Sequence, residues 1–273
     1  MTKIGSCTVL FNPDASVISN VESYAPCMDV CVVVDNSIKK NEVSTYFKEN
    51  PAYVYVDMQQ NCGIGAALNT GIAYLDSKDM DFVLTMDQDS IFPTKDYPKI
   101  YQLIEKYKDT YSLMGLNVNE VDLSKEIQDV PYWITSGNFV KISDFNQAGR
   151  MNEDLFIDYV DFDLGYRFRQ SNLKICCLSE YCIEHTIGNP IDIHFLGKTF
   201  HALNHAPIRY YYRYRNAYYL YHYVDKEFFK KEYHREMFQS LIKLLFFEKH
   251  RKAKLKMIKK GIQDAKHKRL GSF

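Results

Sequence analysis

The feature that most constrains the fold is a pair of short, almost continuous apolar segments, Val30–Val34 and Phe82–Met86. A strand covered on both faces of a sheet has such an unbroken apolar sequence, which is typical of parallel sheets. Two further segments, Ile4–Phe11 and Tyr53–Val56, also have the composition and length of strands. Helix-like segments separate the four strands, near residues 15–24, 41–49 and 64–76. This alternation predicts an α/β fold with a mostly parallel central sheet flanked by helices.

The later part of the chain adds more strand candidates and a further helix. The strand candidates are Tyr111–Val118, Trp133–Val140, Leu173–Leu178 and Tyr181–His185. A helix is predicted over Val160–Gln170.

Charge divides the chain near residue 200, where the sequence also becomes helical and rich in tyrosine. Residues 1–204 hold 16 Lys and Arg against 28 Asp and Glu, a net charge of −12, whereas residues 205–273 hold 18 against 6, a net charge of +12. A zero total composed in this way indicates two regions with different surroundings. We therefore predict an α/β domain over residues 1–204 and a basic, tyrosine-rich helical C-terminal extension over residues 205–273.

Cysteine usage and hydropathy favour a cytoplasmic protein. The seven cysteines are odd in number and include no CxxC pair, as expected for reduced thiols rather than a disulfide framework. The apolar run near the N terminus is too short for a signal peptide, and no stretch approaches the roughly 20 apolar residues that span a bilayer.

Polar residues follow three of the predicted strands, at the end where parallel sheets bind their ligands. Asn12 follows the first strand, Asp35-Asn36 the second, and Asp87-Gln88-Asp89 the fourth. Two carboxylates two positions apart at a strand end can reach one ion, and hard cations such as Mg²⁺ or Mn²⁺ favour such oxygens. The sequence therefore predicts a divalent metal site here, and the alternative is a solvated turn in which Asp89 caps the next segment.

A glycine-bearing segment follows the third strand. Gly63 and Gly65 resemble the start of a dinucleotide fingerprint, but Leu68 occupies the third glycine position. NAD binding is therefore not indicated. Glycines at a helix start let a ligand approach the backbone amides, and the alternative is a tight strand-to-helix turn.

Carboxylates are concentrated before and within the helix predicted over Val160–Gln170. Asp161 and Asp163 lie in its first turn, where the helix dipole stabilises negative charge. Helix capping is one interpretation, and a general base facing a pocket is the other. His185, at the end of a later strand, is either a metal ligand or an ordinary surface histidine.

Seven motifs resemble, in their order along the chain, those of the family 2 inverting glycosyltransferases, which have the GT-A fold. They are TVLFNP, VVVDNS, NCGIGAALNTGI, FVLTMDQDS, TSGNFV, NEDLFIDYVDFDLGYRFRQSNLKI and EHTIGNP, within residues 3–220. Within this family the chain is most similar to bacterial rhamnosyltransferases. The resemblance implies an enzyme of polysaccharide biosynthesis that moves a sugar, with rhamnose as a candidate, from a nucleoside-diphosphate donor to a glycan or lipid-linked glycan.

The resemblance also assigns residues to the donor site. Those implied to line the nucleotide-sugar pocket are Phe11, Asn12, Asp35, Asn61, Gly65, Asp87 and Gln88. Those implied to hold the divalent cation, Mg²⁺ or Mn²⁺, are Asp87, Asp89 and His185.

Further residues are implied to act on the sugar and the acceptor. Ser136, Gly137 and Asn138 would lie beneath the donor sugar and the acceptor. Asp161 matches the catalytic base, but many relatives have Glu before it where this chain has Val160, so Asp158 stays an alternative base. Arg215 and Asn216, in the tyrosine-rich segment, are implied to contact donor or acceptor, and the alternative is a helix packed on the catalytic domain.

The basic extension allows two interpretations. One is a helix on an anionic membrane surface that buries Leu241, Leu244, Leu245 and Phe247, and the other is a packing or homodimerisation helix. Two alternative functions also remain. A nucleotidyltransferase would carry a glycine-rich basic loop after the first strand, where this chain has FNPDAS, and a non-catalytic protein would bind polyanions through the tail.

Overall fold

The computed structural model describes residues 1–118, 125–185, 191–195, 198–202 and 205–273, and at residue 185 and residues 191–195 and 198–202 it describes the backbone alone. The chain divides into two compact units. The first unit comprises Met1–Glu153 and Val160–Thr186, and the second comprises Asp154–Tyr159 and Ile187–Phe273. The boundary predicted between residues 204 and 205 adjoins residues outside the described part and stays a prediction.

The first unit is built on an eight-stranded sheet with strand order β3-β2-β1-β4-β8-β6-β9-β7. Its strands, with a small additional pair formed by β5 and β10, are β1 (Ile4–Leu10), β2 (Val30–Asp35), β3 (Val54–Asp57), β4 (Phe82–Asp87), β5 (Ser90–Ile91), β6 (Leu113–Asn117), β7 (Ile127–Asp129), β8 (Asn138–Lys141), β9 (Ile175–Cys182) and β10 (Glu184–His185). Strands β1 to β4 are parallel, as is the β6–β9 pair, whereas β8 and β7 run antiparallel to their neighbours. The prediction of a mostly parallel sheet is confirmed.

Burial explains why the early strands consist almost entirely of apolar residues. All seven residues of β1 are buried, and β2 and β4 are buried along almost their whole length. Helices cover the sheet, namely α1 (Ser16–Tyr24), α2 (Glu42–Glu49), α3 (Ile64–Asp76), α4 (Tyr97–Tyr107), α5 (Ile142–Gln147) and α6 (Val160–Gln170). Their starts follow local signals: Asn41 and Ser44 form a capping box at α2, and Gly63, with φ of 86°, precedes α3.

Two strand predictions differ from the structure. The strand expected over Trp133–Val140 begins only at Asn138, because Gly137 takes a φ of 77° and ends the preceding turn. The two strands expected at Leu173–Leu178 and Tyr181–His185 are instead one long strand, β9, followed by the short β10.

The second unit is mainly helical, as predicted for the extension. Its elements are the antiparallel hairpin β11 (Ile191–Phe195) and β12 (Lys198–Ala202), followed by α7 (Pro207–Tyr219), α8 (Lys230–His234), α9 (Leu241–Phe247) and α10 (Arg251–Lys266). A π-helical stretch, Leu220–Val224, extends α7, and another, Arg235–Ser240, joins α8 to α9. None of the helices in the described residues is long and apolar enough to cross a membrane.

The tyrosine-rich segment forms the core of the second unit. Tyr210 and Tyr214 of α7 are 1% exposed and pack with Leu244 and Ile258. Helix α10 lies close against α7, because a Cβ placed on Gly261 would be 2.4 Å from the carbonyl oxygen of Tyr211. The tyrosines are therefore mostly core residues of a helical unit.

Candidate active site

The loops after β1 and β4 are joined by the side chain of Gln88. Its Oε1 accepts a hydrogen bond from the backbone N–H of Phe11 at 2.8 Å, and its Nε2 donates to the Phe11 carbonyl at 3.2 Å. Asn20 of α1 donates to the Gln88 carbonyl at 3.0 Å. The middle residue of the Asp-Gln-Asp turn thus fixes the first strand end, while the Phe11 ring is left 46% exposed. An exposed ring at this edge can stack on a flat ligand.

Asp35, at the end of β2, is fully buried and surrounded by donors. Ser44 and Tyr55 donate hydroxyl hydrogen bonds to one carboxylate oxygen at 2.6 and 2.8 Å, and the Ser37 amide donates to the other at 2.9 Å. Lys40 lies 3.3 Å from the carboxylate. Burial by itself raises the pKa of Asp35, but the bonds from Ser44 and Ser37 outweigh it and hold the pKa below its usual value. Asp35 is therefore an ionised anchor for its loop.

Asn36 links the second and third strand ends. It donates to Asn61 Oδ1 at 3.1 Å and to the Gly63 carbonyl at 3.2 Å, and its own oxygen accepts from the Cys62 amide at 2.8 Å. Asn12 is held separately, through its backbone N–H and the Ser37 hydroxyl at 2.8 Å. Asn36 is not among the residues that the resemblance implies for the donor site, although it directly follows Asp35 at the same strand end.

The glycine at position 65 serves packing within the first unit. A Cβ on Gly65 would lie 3.2 Å from the carbonyl oxygen of Asn152, so α3 approaches this segment closely. The same helix is tied there by Asn69, which donates to the Met151 carbonyl at 3.0 Å and to Glu153 at 2.8 Å. This close packing requires a small residue at position 65, and the predicted contact of Gly65 with the donor stays a prediction.

Two buried serines support the Asp-Gln-Asp turn through hydrogen bonds. The Asp87 amide donates to Ser136 Oγ at 3.0 Å, and that hydroxyl donates to Ser90 Oγ at 2.8 Å. Ser136 and Ser90 are both fully buried. Asp87 is half-buried and Asp89 is exposed, so the two carboxylates stand at the open side of the turn.

Strand β10 brings the backbone of His185 to this turn. In the β5–β10 pair, His185 lies directly opposite Ser90, the residue that follows Asp89. The side chain of His185 lies outside the described residues. Among the side chains that are described, no group of three His, Cys, Asp or Glu is arranged to hold a metal ion. Asp87 and Asp89 supply the oxygen ligands that Mg²⁺ and Mn²⁺ prefer, so the pair fits the predicted cation.

The segment Ser136-Gly137-Asn138, predicted to lie beneath the donor sugar, connects β4 to β8 through hydrogen bonds. The Gly137 amide donates to the Thr85 carbonyl at 2.8 Å, and its φ of 77° suits glycine. Asn138 is 3% exposed and donates through its side chain to the carbonyl of Ile134. Its Oδ1 is buried without a hydrogen-bond partner in the part of the chain that the structure describes. This oxygen is enclosed beside Gly115, where an added Cβ would approach it to 2.7 Å, so it does not face an open pocket.

Asp161 and Asp163 differ in environment although both lie in the first turn of α6. Asp163 is 4% exposed and forms an ion pair with Arg167 at 2.8 Å. Burial raises the pKa of Asp163, and Arg167 opposes that rise. Asp161 is half-buried, and its Oδ1 accepts from the Phe162 amide at 2.9 Å. Asp163 is therefore structural, whereas Asp161 keeps the partial exposure that a general base requires.

Asp158, the alternative base, belongs to the second unit. Arg209 binds it through Nε at 2.6 Å and Nη2 at 2.8 Å. This bidentate geometry engages both carboxylate oxygens of Asp158 with one guanidinium. The assignment of the base to Asp161 or Asp158 stays a prediction.

Arg215 and Asn216, predicted to contact donor or acceptor, are fully buried in the second unit. Asn216 Nδ2 donates to the carbonyls of Leu155, Ile157 and Asp158, each at 2.9 Å. The Arg215 guanidinium binds the Leu155 carbonyl at 2.9 Å. Both side chains hold this short loop, in which Phe156, Asp158 and Tyr159 have positive φ. Their role in direct substrate contact stays a prediction.

Comparison with known proteins relates the chain to glycosyltransferases. The profile of glycosyl transferase family 2 matches residues 15–173. The dTDP-rhamnosyl transferase RfbF of Shigella flexneri is 28% identical over 240 residues, which cover 80% of each protein. The crystal structure of S. aureus TarS 1-349 superposes with a TM-score of 0.57 at 13% identity, over 97% of this chain and 81% of that one. The same TarS fragment in complex with UDP-GlcNAc matches with a TM-score of 0.57 at 12% identity, over 97% and 82% of the two chains. The two TarS structures show a shared fold.

Proposed function

Because the chain belongs to glycosyl transferase family 2, we propose that it transfers a sugar from a nucleoside-diphosphate donor with inversion at the anomeric carbon. RfbF is named as a dTDP-rhamnosyl transferase, so dTDP-rhamnose is the first donor to test. A glycan or lipid-linked glycan is the proposed acceptor, and the cytoplasm, where the donor is soluble, is the proposed site of action. The family assignment goes against the nucleotidyltransferase alternative.

The observation that carries this proposal is the clustering of polar strand ends in the first unit. Gln88 binds the backbone of Phe11, and Asn36 binds Asn61 and the Gly63 carbonyl. These contacts hold the ends of β1 to β4 in one fixed arrangement before any ligand arrives. When the loops of a site are already ordered, ligand binding loses little free energy to ordering them.

In this proposal the donor nucleotide lies along those strand ends. The exposed Phe11 ring offers a stacking surface for the base, with Asn12 and Asn61 as polar neighbours. Asp35 already accepts hydrogen bonds from Ser44, Tyr55 and Ser37, so its main contribution is to keep the loop after β2 in place. The diphosphate is placed near Asp87 and Asp89.

Asp87, Asp89 and His185 would hold a divalent cation, which when bound neutralises negative charge on the departing diphosphate. Ser136 fixes the Asp87 amide and so orients the carboxylate pair.

Asp161 is the proposed base. Its carboxylate takes the proton of the acceptor hydroxyl while that oxygen attacks the anomeric carbon, and the nucleoside diphosphate leaves from the opposite face. The N terminus of α6 places the positive end of the helix dipole at Asp161. A single positioned base contributes about 10²–10⁴-fold, so donor positioning must supply much of the remaining acceleration.

A donor screen tests the proposal. Thermal denaturation is followed with dTDP-rhamnose, dTDP-glucose, UDP-GlcNAc and the free nucleotides, with and without Mn²⁺. A ligand at 100 times its Kd stabilises the native state by about 2.7 kcal/mol, which is easily detected. We expect dTDP-rhamnose to stabilise the protein most. If no nucleotide sugar stabilises it and none is consumed in the presence of glycan acceptors, the proposal fails.

A further inference from the structure

The surface of the second unit from Lys230 to Phe273 is more basic than its composition indicates. Thirteen lysine and arginine side chains in this stretch are exposed. Its four carboxylates, Glu232, Glu236, Glu248 and Asp264, are all buried, with at most 6% of each residue exposed. This stretch is described throughout, and every exposed charged side chain in it is basic.

The buried carboxylates are used inside the unit. Glu236 pairs with Arg213 at 2.9 Å, and Glu248 pairs with the buried Lys254 at 2.7 Å. Asp264 pairs with Lys260 at 2.8 Å and accepts a bond from Tyr211 at 3.0 Å. The fold thus removes negative charge from the surface and leaves the positive charge there.

A stripe of apolar side chains lies on the same stretch. Phe238, Ile242, Leu245 and Phe246 are 59%, 54%, 39% and 67% exposed. They are spaced three and four residues apart, so those on α9 share one helix face. Large apolar side chains exposed together mark an interaction surface.

Basic residues adjoin this stripe. The Arg251 guanidinium donates to the Phe246 carbonyl at 3.1 Å and to the Glu248 carbonyl at 3.0 Å, which holds a cation at the backbone of the C-terminal end of α9. Lys243 is exposed on α9 itself, and Lys252 follows Arg251 at the start of α10.

We propose that this basic apolar face, formed by Phe238, Ile242, Leu245, Phe246, Lys243 and Arg251, docks on an anionic lipid bilayer. Apolar side chains enter the boundary between headgroups and acyl chains while lysine and arginine attract anionic lipids. A second copy of the chain is a poorer occupant, because a twofold interface would set cations against cations with no exposed carboxylate from this stretch to offset them. The inference stands independently of the proposed function.

The structure also corrects the apolar residues expected to enter the bilayer. Leu244 is fully buried against Tyr210, and Leu241 and Phe247 are partly buried, so only Leu245 of the predicted set is exposed. Truncating the C-terminal extension would remove Leu244 and Ile258, which belong to the core of the second unit. Point substitutions at exposed positions are therefore the appropriate test.

The test is flotation of the full-length protein with vesicles of phosphatidylglycerol and phosphatidylcholine, compared with vesicles of phosphatidylcholine alone. The apolar variant is Phe238→Ser with Phe246→Ser, and the charge variant is Lys243→Glu with Lys252→Glu. The matched control is Lys48→Glu with Lys99→Glu, which changes net charge equally at exposed positions of the first unit. Thermal denaturation and dTDP-rhamnose binding verify that each variant is folded.

We expect wild-type protein to float with anionic vesicles at low salt and to be released as salt screens the charges. Either variant of the face should weaken binding by about tenfold or more, and the control should bind like wild type. Failure of wild type to float at low salt overturns the inference. An equal loss of vesicle binding in the control also overturns it. So does an apolar variant that binds vesicles like wild type but no longer sediments as a dimer.

Discussion

Arg209 binds Asp158 through two hydrogen bonds, from Nε to Oδ2 at 2.6 Å and from Nη2 to Oδ1 at 2.8 Å. Two of the acceptor positions of this carboxylate are thus occupied by one guanidinium. Asp161, three residues later, lies half-buried in the first turn of α6. The resemblance implies Asp161 as the base, with Asp158 as the alternative, and substitution of each residue distinguishes the two.

Asp161→Asn should therefore abolish most of the activity. We expect turnover to fall by ~10²-fold or more with donor affinity unchanged, because the amide cannot take a proton. Steady-state kinetics and donor calorimetry measure the two effects. The matched variant Asp158→Asn should lower thermal stability and leave turnover closer to wild type. The reverse pattern would assign the base to Asp158.

Asp89→Ala should remove divalent-dependent binding of the nucleoside diphosphate. The reason is that the cation bridges carboxylate and phosphate oxygens in the proposed site. Calorimetry of dTDP binding with Mn²⁺ and with chelator makes the comparison, and Asp79→Ala, an exposed aspartate of the same unit, is the control. Equal affinity of the wild type in both conditions would exclude a metal role for this turn.

Gln88→Leu should weaken donor binding by loosening Phe11. The substitution removes two hydrogen bonds, each worth about 0.5–1.5 kcal/mol, so we expect a loss of about 1–3 kcal/mol in donor binding or stability. Calorimetry with dTDP-rhamnose and urea denaturation divide the loss between the two. Gln102→Leu, at an exposed position of α4, controls for the change in side chain. If Gln88→Leu has wild-type donor affinity and stability, the hydrogen bonds between Gln88 and Phe11 are dispensable.

Gly261→Ala should destabilise the second unit. Its Cβ would lie 2.4 Å from the Tyr211 carbonyl oxygen, so α10 must move away from α7. Forced overpacking of this kind costs about 1–3 kcal/mol. The exposed Gln263→Ala on the same helix is the control in a urea titration. Wild-type stability in Gly261→Ala would mean that the two helices separate at little cost.

The contribution of Asp35 to stability should vanish in acid. The hydrogen bonds from Ser44 and Ser37 hold its pKa below the usual value in the folded protein despite burial. A lowered folded pKa stabilises the native state above the unfolded pKa of about 3.9, and the benefit is lost as pH falls through the folded value. The difference in unfolding free energy between wild type and Asp35→Asn should be largest near neutral pH and shrink below about pH 4. A difference independent of pH would contradict this sign.

Much of the fold was predictable because its signals are local. Unbroken apolar runs such as Val30–Val34 indicate strands buried on both faces, and the polar residues that end them mark the ligand edge of a parallel sheet. The ranges predicted for α3 and α6 agree with the structure for the same reason, since glycine and acidic first-turn signals lie next to the helix they start. The Asp87-Gln88-Asp89 turn and the basic, helical character of the extension follow from residues adjacent in sequence.

The partners of those residues depend on contacts between distant parts of the chain. Gln88 binds the backbone of Phe11, and His185 lies opposite Ser90, pairings that no sequence period specifies. The strand expected over Trp133–Val140 is shortened because Gly137 adopts a left-handed conformation set by its neighbours. Likewise, Glu236, Glu248 and Asp264 are buried through contacts with Arg213, Tyr210 and Tyr211 of α7, which lie far from them in sequence. Local propensity selects the elements, whereas the free energy of burial and of long-range hydrogen bonds selects which side chains meet.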